Sequence, residues 1–432
     1  MATALLRSEG PQNCAQREFR VALLGFGTVG SAVARLLHAR RDELGMRLTH
    51  ICNRNVARKK ASWNCPHVLW TENVQQVLRS DADVVVELIG GLEPAHDIVR
   101  RALVAGKSVV TANKQLIARF GSELSRLADE NGQYLGFGAC VAGGVPVLSA
   151  LQDGLAGDRL TQVSGILNGT CNYILTRVEQ SGIGFAEALR EAQQRGFAEA
   201  DPTDDVDGHD SAAKLAILAR VGLKLDVSPT QVARRSIRDI TAIDFAYARE
   251  LGCTIRQIST AKLHDGKVYM AVEPSLVPVT SPFGGVVGSQ NLVVSSGEFG
   301  GDTTLRGHGA GGDPTAVAVI SDLLQASRSR SNGCSQQHCT VACKVSNDFE
   351  RRHYLRFVVR DRPGIIAAIA SVLSRYHINL DAVLQKPGLD KSALPFVITL
   401  ESCRQSQLES ALREIKAFDF LAEAPIQMPI LK

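Results

Sequence analysis

The sequence predicts an α/β chain in three parts, and three patterns carry that prediction. A G-x-G-x-x-G hexapeptide sits between an apolar run and a helical stretch near the start. Short runs with strand-like alternation fill part of the middle, and a βαββαβ succession closes the chain. The expected layout is a Rossmann dinucleotide-binding domain over 19–148, completed by a returning segment at 309–325. A central α+β domain over 149–308 follows, then a linker over 326–350 and a ferredoxin-like domain over 351–432.

Phe19–Leu24 (FRVALL) reads as a buried strand, followed by GFGTVG at Gly25–Gly30 and a helix. In this setting Gly25 allows a tight turn, Gly27 lets backbone approach a pyrophosphate, and Gly30 lets helix and strand pack closely. The residues between them, Phe26, Thr28 and Val29, share the loop, and the helix start offers N–H groups to phosphate. The next strand, Arg47–Cys52, ends at Asn53-Arg54-Asn55 rather than at the acid that holds the ribose hydroxyl of NAD. Arg54 and Lys59 instead suit a 2′-phosphate, which favours NADP over NAD.

Asp83–Ile89 is a third buried strand and ends at Gly90-Gly91. After a crossover helix, Ser108–Val110 leads to Thr111-Ala112-Asn113-Lys114, which places Lys114 at a strand's carboxyl end. The Gly143-Gly144 turn before Pro146 offers exposed carbonyls to a monovalent cation. Leu160–Leu175 reads as a strand, a turn at Asn168-Gly169 and a helix, whose start offers small polar groups (Asn168, Gly169, Thr170) and free N–H groups suited to a substrate carboxylate. The runs IRQISTAKLH, KVYMAVEPSLV and QNLVVSS predict an antiparallel sheet. Glycines at 309 and 311 then run into a helix, returning the chain to the cofactor.

The chemistry is expected in Gly196–Lys214, GFAEADPTDDVDGHDSAAK. Glu199, Asp201, Asp204, Asp205, Asp207 and Asp210 precede one lysine, Lys214. Asp207 or Asp210 is expected to cap the following helix, and Asp210 and Lys214, four apart, share a face. The helix start and the carboxylates pull a lysine's pKa in opposite directions, which suits a proton donor to a carbonyl oxygen.

Bulk properties bound the function. At 432 residues the chain exceeds one ordinary core, and 45% apolar with 21% charged content is that of a soluble globular protein. A net charge of +4 gives no electrostatic case for nucleic acid or an anionic membrane. No apolar run is long enough to span a bilayer. The first eighteen residues lack a basic n-region and read as a short, poorly ordered leader rather than a secretory signal. Ten scattered cysteines fit reduced thiols and a cytoplasmic enzyme. Cys334, Cys339 and Cys343, with His338 among them, do not have the spacing of a known zinc finger and read as linker.

GFGTVG, Gly90-Gly91, TANK at 111–114, GGVP at 143–146, GILNGTCNYIL at 165–175, the stretch 196–219 and GAGGDPTA at 309–316 occur in that order. Together they closely resemble homoserine dehydrogenase. The C-terminal part, with DRPG at 361–364 and INLDAVLQK at 378–386, resembles an ACT domain. The resemblance implies interconversion of L-aspartate 4-semialdehyde and L-homoserine with NADP, or NAD, in threonine, methionine and isoleucine biosynthesis. It implies Lys214 as general acid, Asp210 as its orienter and Lys114 beside the transferred hydride. Glu199 and Asp205 join the substrate site, with Glu199 on the amine or hydroxyl. A sodium ion held by carbonyls of Gly138, Val141, Gly143 and Val145, an amino-acid effector such as threonine on the ACT domain, and a homodimer or homotetramer are also implied. The family commonly has glutamate where this chain has Gly138. An aspartate-semialdehyde dehydrogenase would need a nucleophilic cysteine, with Cys140 and Cys171 available. An amino-acid- and NADP-binding regulator without turnover would have lost Glu199, Asp210 or Lys214, and all three are present.

Overall fold

A computed structural model describes residues 18–63, 65–264, 266–332, 341–346 and 348–431. All of the leader but Glu18 lies outside the described residues, as do Cys334, His338 and Cys339.

The first sheet is wholly parallel. It comprises β1 (Phe19–Leu24), β2 (Met46–Cys52), β3 (Leu69–Thr71), β4 (Val84–Glu87), β5 (Ser108–Thr111) and β6 (Leu135–Gly136), in the order β3-β2-β1-β4-β5-β6. β4 and β5 are buried along their whole length, as continuous Val-rich runs between two helical layers must be. The order reverses between β1 and β4, which opens a crevice at their carboxyl ends, where open α/β sheets bind ligands. The returning helix, Gly312–Asn332, packs through Ala316, Val319, Ile320 and Leu323 against Ala32 and Val33 of the helix Thr28–Ala39. It runs past Ala326, so helix occupies the start of the expected linker.

The second sheet is built on β7 (Leu160–Ile166). Two short strands, β8 (Leu225–Asp226) and β9 (Ala233–Arg234), follow, then β10 (Cys253–His264), β11 (Lys267–Pro278), β12 (Gln290–Gly297) and β13 (Gly301–His308). β13, β12, β7, β10 and β11 form a continuous antiparallel ladder. β13 was not legible in the sequence, nor were the helices Lys114–Glu130, Phe185–Gln194 and Ala242–Glu250. The helix His209–Leu223 is buried from Leu215 to Val221, so it is a central core helix rather than an amphipathic surface one.

Beyond the linker, β14 (Val341–Ala342) pairs with β8. The final βαββαβ unit has β15 (Glu350–Val359), β16 (Leu380–Gln385), β17 (Leu394–Arg404) and β18 (Ile426–Ile430), with helices Ile365–Arg375 and Gln405–Ile415. It does not stand alone, as an independent domain would. β18 joins β11 at Leu276 and Ile430, so the terminal sheet continues the central one. Beneath that seam Asp244, fully buried, pairs with Arg356 and accepts from the Tyr354 hydroxyl at 2.9 Å.

Candidate active site

The glycine loop leaves β1 with Gly25 at φ +102°. A Cβ there would meet the Leu88 carbonyl oxygen at 2.6 Å, and one on Gly30 would meet the Gly25 carbonyl oxygen at 2.3 Å. Close backbone approach therefore demands both glycines. Gly27 differs, because a Cβ on it would meet nothing within 4 Å. It is the N-cap of the Thr28–Ala39 helix, and no side chain caps that end. The first-turn N–H groups of Thr28, Val29 and Gly30 thus keep their capacity for an anion beside open space, which fits a dinucleotide pyrophosphate.

The Phe26 N–H donates to Asn53 Oδ1 at 3.2 Å, tying the loop to the end of β2. Arg54 next to it is exposed, and Lys59 on the short helix Val56–Ser62 is partly so. Neither has an ion-pair partner among the described residues. Across the crevice Gly90 and Gly91 both have positive φ. Gly309 packs its carbonyl against Gly143, and Gly311 (φ +124°) leads to Gly312, beside the Thr28 backbone. The returning loop therefore closes on the glycine loop.

The carboxylate–lysine cluster faces this crevice. Asp210, 4% exposed, lies in the first turn of the His209–Leu223 helix. Its Oδ2 is 2.8 Å from Lys214 Nζ, and its Oδ1 is 2.7 Å from Lys114 Nζ. Lys114 is the first residue of the Lys114–Glu130 helix. Lys214 Nζ also donates to the Leu167 carbonyl at 2.9 Å. Asn168 Nδ2 donates to Asp210 Oδ2 at 2.9 Å and to Asp205 Oδ1 at 2.6 Å. Its Oδ1 accepts from the Cys171 N–H, capping the Gly169–Ser181 helix.

Burial works against the Asp210 charge, but two ammonium groups overcome it and hold its carboxyl well below the usual range. Burial raises Asp205 above that range. Burial opposes the Lys114 charge, yet Asp210 more than offsets it and raises the lysine.

Three expectations are corrected. Neither Asp207 nor Asp210 caps the helix, because Gly208 does so at φ +80°, and Asp207 pairs with Arg238 at 3.0 Å. The Asn168 side chain is fully engaged within the protein, and the Thr170 hydroxyl donates to the Phe197 carbonyl at 2.6 Å, so of the expected groups it is the N–H groups of Gly169 and Thr170 at the helix start, unpartnered among the described residues, that remain for a carboxylate. Gly169 is fixed by contact, since a Cβ there would meet the Ser289 carbonyl oxygen at 2.7 Å. Glu199 is exposed on the loop before the cluster, and its carboxylate has no partner among the described residues.

The third correction concerns the Gly143-Gly144 turn, of which Gly144 is exposed but Gly143 is buried, as are Val141 and Val145 beside it. The Val141 and Gly143 carbonyls accept no hydrogen bond among the described residues, whereas Val145 O accepts from the Val147 N–H at 2.7 Å. Buried, unpaired carbonyls of this kind fit a small cation. The Gly138 N–H donates to Asp322 Oδ2 at 2.8 Å, and a Cβ at 138 would meet Asp322 Oδ1 at 2.8 Å. Asp322, pushed up to about 7 by burial, was missed in the sequence, where it follows Ser321 in the helix run AVAVISDLL with nothing to mark it as buried. Glu87 was missed too, although a carboxylate closing an otherwise apolar strand was a signal. Among the described residues no group of three or more His, Cys, Asp or Glu could hold a metal ion, and Cys343 is free.

An uncapped glycine loop at the switch point, facing an ion-paired lysine, defines a dinucleotide-dependent oxidoreductase. Family models described as "Homoserine dehydrogenase, NAD binding domain", "Homoserine dehydrogenase" and "ACT domain" match residues 25–137, 146–324 and 353–420. The homoserine dehydrogenase of Bacillus subtilis is 37% identical over 396 residues, covering 89% of this chain and 92% of that protein. The crystal structure of a homoserine dehydrogenase from Thiobacillus denitrificans superposes with a TM-score of 0.90 at 32% identity, covering 96% and 98% of the two chains. A hyperthermophilic archaeal homoserine dehydrogenase in complex with NADPH matches with a TM-score of 0.62 at 28% identity, over 72% of this chain and 98% of that one. The chain belongs to the homoserine dehydrogenase family and carries an ACT domain.

Proposed function

We propose that this enzyme interconverts L-aspartate 4-semialdehyde and L-homoserine with NADP as the preferred cofactor and Lys214 as general acid. The observation that carries the reading is the shared Asp210 carboxylate, which fixes two lysines beside the cofactor crevice. When bound, the nicotinamide supplies the hydride for reduction or takes it for oxidation. Of the three Lys214 protons, one points to Asp210 and one to Leu167 O, leaving the third for the substrate oxygen. As that oxygen gains charge, Lys214 donates the proton, and Asp210 keeps the ammonium oriented. Lys114, more open to solvent, stands on the cofactor side. Glu199, exposed and unpaired, is available to the substrate amine, and Asp205 flanks the same space.

Arg54, just past β2, and Lys59, on the short helix after it, support NADP, since neither cation has a carboxylate partner among the described residues. The archaeal relative's bound NADPH agrees with this reading. The carbonyls of Gly138, Val141, Gly143 and Val145 would hold a sodium ion, whose charge would order the segment between the cofactor and central domains. The ACT domain would bind an amino-acid effector, threonine by preference. The reading also includes a homodimer or homotetramer assembled through the central domain, a cytoplasmic location for its free thiols, and a place in threonine, methionine and isoleucine synthesis.

A cysteine-nucleophile reaction has no support. Burial pushes the Cys140 and Cys171 thiols well above their usual range, and they donate to the carbonyls of Thr111 and Asp205. The test is reduction of NADP and, separately, NAD by the protein with L-homoserine, with and without threonine. A preference for NAD would remove the Arg54 argument. Absence of threonine inhibition would leave the ACT domain to another amino acid.

A further inference from the structure

Glu87 is a fully buried carboxylate that the chemistry above does not use. No lysine, arginine or histidine pairs with it among the described residues. Such a charge is costly unless hydrogen bonds answer it, and three do. Its Oε1 accepts from the Ile89 N–H at 2.7 Å and the Gly90 N–H at 3.1 Å. Its Oε2 accepts from the Thr111 hydroxyl at 2.7 Å.

The bonds continue outward. Thr111, its neighbour across the β4–β5 ladder, accepts from the Asn113 N–H at 2.9 Å. Asn113 donates through Nδ2 to Gly91 O at 2.6 Å and accepts through Oδ1 from the Leu116 N–H at 3.2 Å. Asn113 is thereby the N-cap of the helix that begins at Lys114. A closed ring of hydrogen bonds and backbone thus joins the Gly90-Gly91 turn after β4 to the base of Lys114 after β5, its neighbour in the sheet.

From this ring we infer that Glu87 is a positioning residue, which sets the placement of Lys114 relative to the cofactor by locking the 88–91 turn to the 111–114 turn. The inference rests on the reading that Lys114 stands beside the reacting centre. Only an acceptor-only group serves all three donors. A glutamine would keep the turn through its carbonyl oxygen but present N–H to Thr111, which could accept it only by reversing the bond and turning its own proton away from the acceptor it has here. Glu87→Gln therefore disturbs one link and spares the rest, whereas Thr111→Val removes that link and the acceptor of the Asn113 N–H as well.

The experiment compares Glu87→Gln, Thr111→Val, the double variant and Thr111→Ser in the full-length enzyme. It reads the cofactor dissociation constant, kcat, and the primary isotope effect with nicotinamide deuterated at the transferred position. Displacement of reacting groups by a fraction of an ångström predicts a kcat loss of roughly tenfold to a hundredfold. The isotope effect should rise, and cofactor affinity should stay within about threefold. The double variant should lose no more than Thr111→Val alone, because the bond that Glu87→Gln disturbs is already gone there, and Thr111→Ser should keep turnover near wild type. If Glu87→Gln lowers the melting temperature while kcat and the isotope effect stay unchanged, Glu87 is structural and the inference fails. Lys114→Ala, run alongside, separates the two levels. Unimpaired turnover there sinks the Lys114 reading and this inference with it, whereas an impaired Lys114→Ala beside a normal Glu87→Gln sinks the inference alone.

Discussion

Lys114 reaches Asp210, remote from it in the chain, at 2.7 Å, on the carboxylate oxygen opposite the one that Lys214 holds. One buried anion therefore sets the separation of two cations. Neither lysine can move toward a substrate without altering the field on the other.

Removing the proposed proton donor should separate chemistry from binding. In Lys214→Ala, turnover with homoserine is expected to fall by about 10²–10⁴-fold or more, with NADPH affinity nearly intact. Stopped-flow turnover and cofactor fluorescence titration measure the two. Preserved turnover would take Lys214 out of the mechanism.

Arg54 tests cofactor choice. A lost charge-assisted phosphate contact is worth about 1.5–3 kcal/mol, so Arg54→Ala should weaken NADPH roughly tenfold to a hundredfold and barely touch NADH. Parallel KM measurements with both cofactors decide it. Equal losses would mean that Arg54 does not read the 2′-phosphate.

Asn168 holds two carboxylates with one amide nitrogen. Asn168→Asp deletes that donor and sets a third carboxylate against them, for an expected loss of about 2–4 kcal/mol. Urea unfolding measures it. A midpoint equal to wild type would show that the amide is not what holds Asp205 and Asp210 together.

His353 predicts a pH dependence. It is fully buried, and burial, with Arg351 and Arg235 nearby, lowers its pKa from 6.5 to about 3. Below 6.5 the unfolded chain takes a proton that the folded one refuses. Stability is therefore lost as pH falls from about 6.5 toward 3, amounting to roughly 3 kcal/mol by pH 4. Denaturant melts of wild type and His353→Gln across that range should show a shallower slope in the variant. Identical slopes would assign the acid sensitivity elsewhere.

The sequence shows local facts well and long-range pairings poorly. GFGTVG between an apolar strand and a helix, the Asn168 turn and the terminal βαββαβ unit were legible because short-range patterning dictates them. The four-residue spacing of Asp210 and Lys214 was legible for the same reason. Asp207 misled because its distance from the helix said nothing of Arg238, which claims it. Lys114 could be placed at a strand end but not on Asp210. Asp322 could not be read at all, because its partner is the Gly138 N–H, brought to it only by the returning helix. The β18–β11 seam was equally hidden, since nothing in IQMPI names the strand beside which it lies.

That seam makes the C-terminal unit a poor candidate for removal. Cutting the chain near residue 350 would strip β18 from β11 and leave Asp244 buried without Arg356. The remainder would present an open strand to other molecules, a template for clumping. A shortened enzyme should therefore first reveal itself by turbidity on storage or gentle warming, before any change in its response to an amino acid can be read.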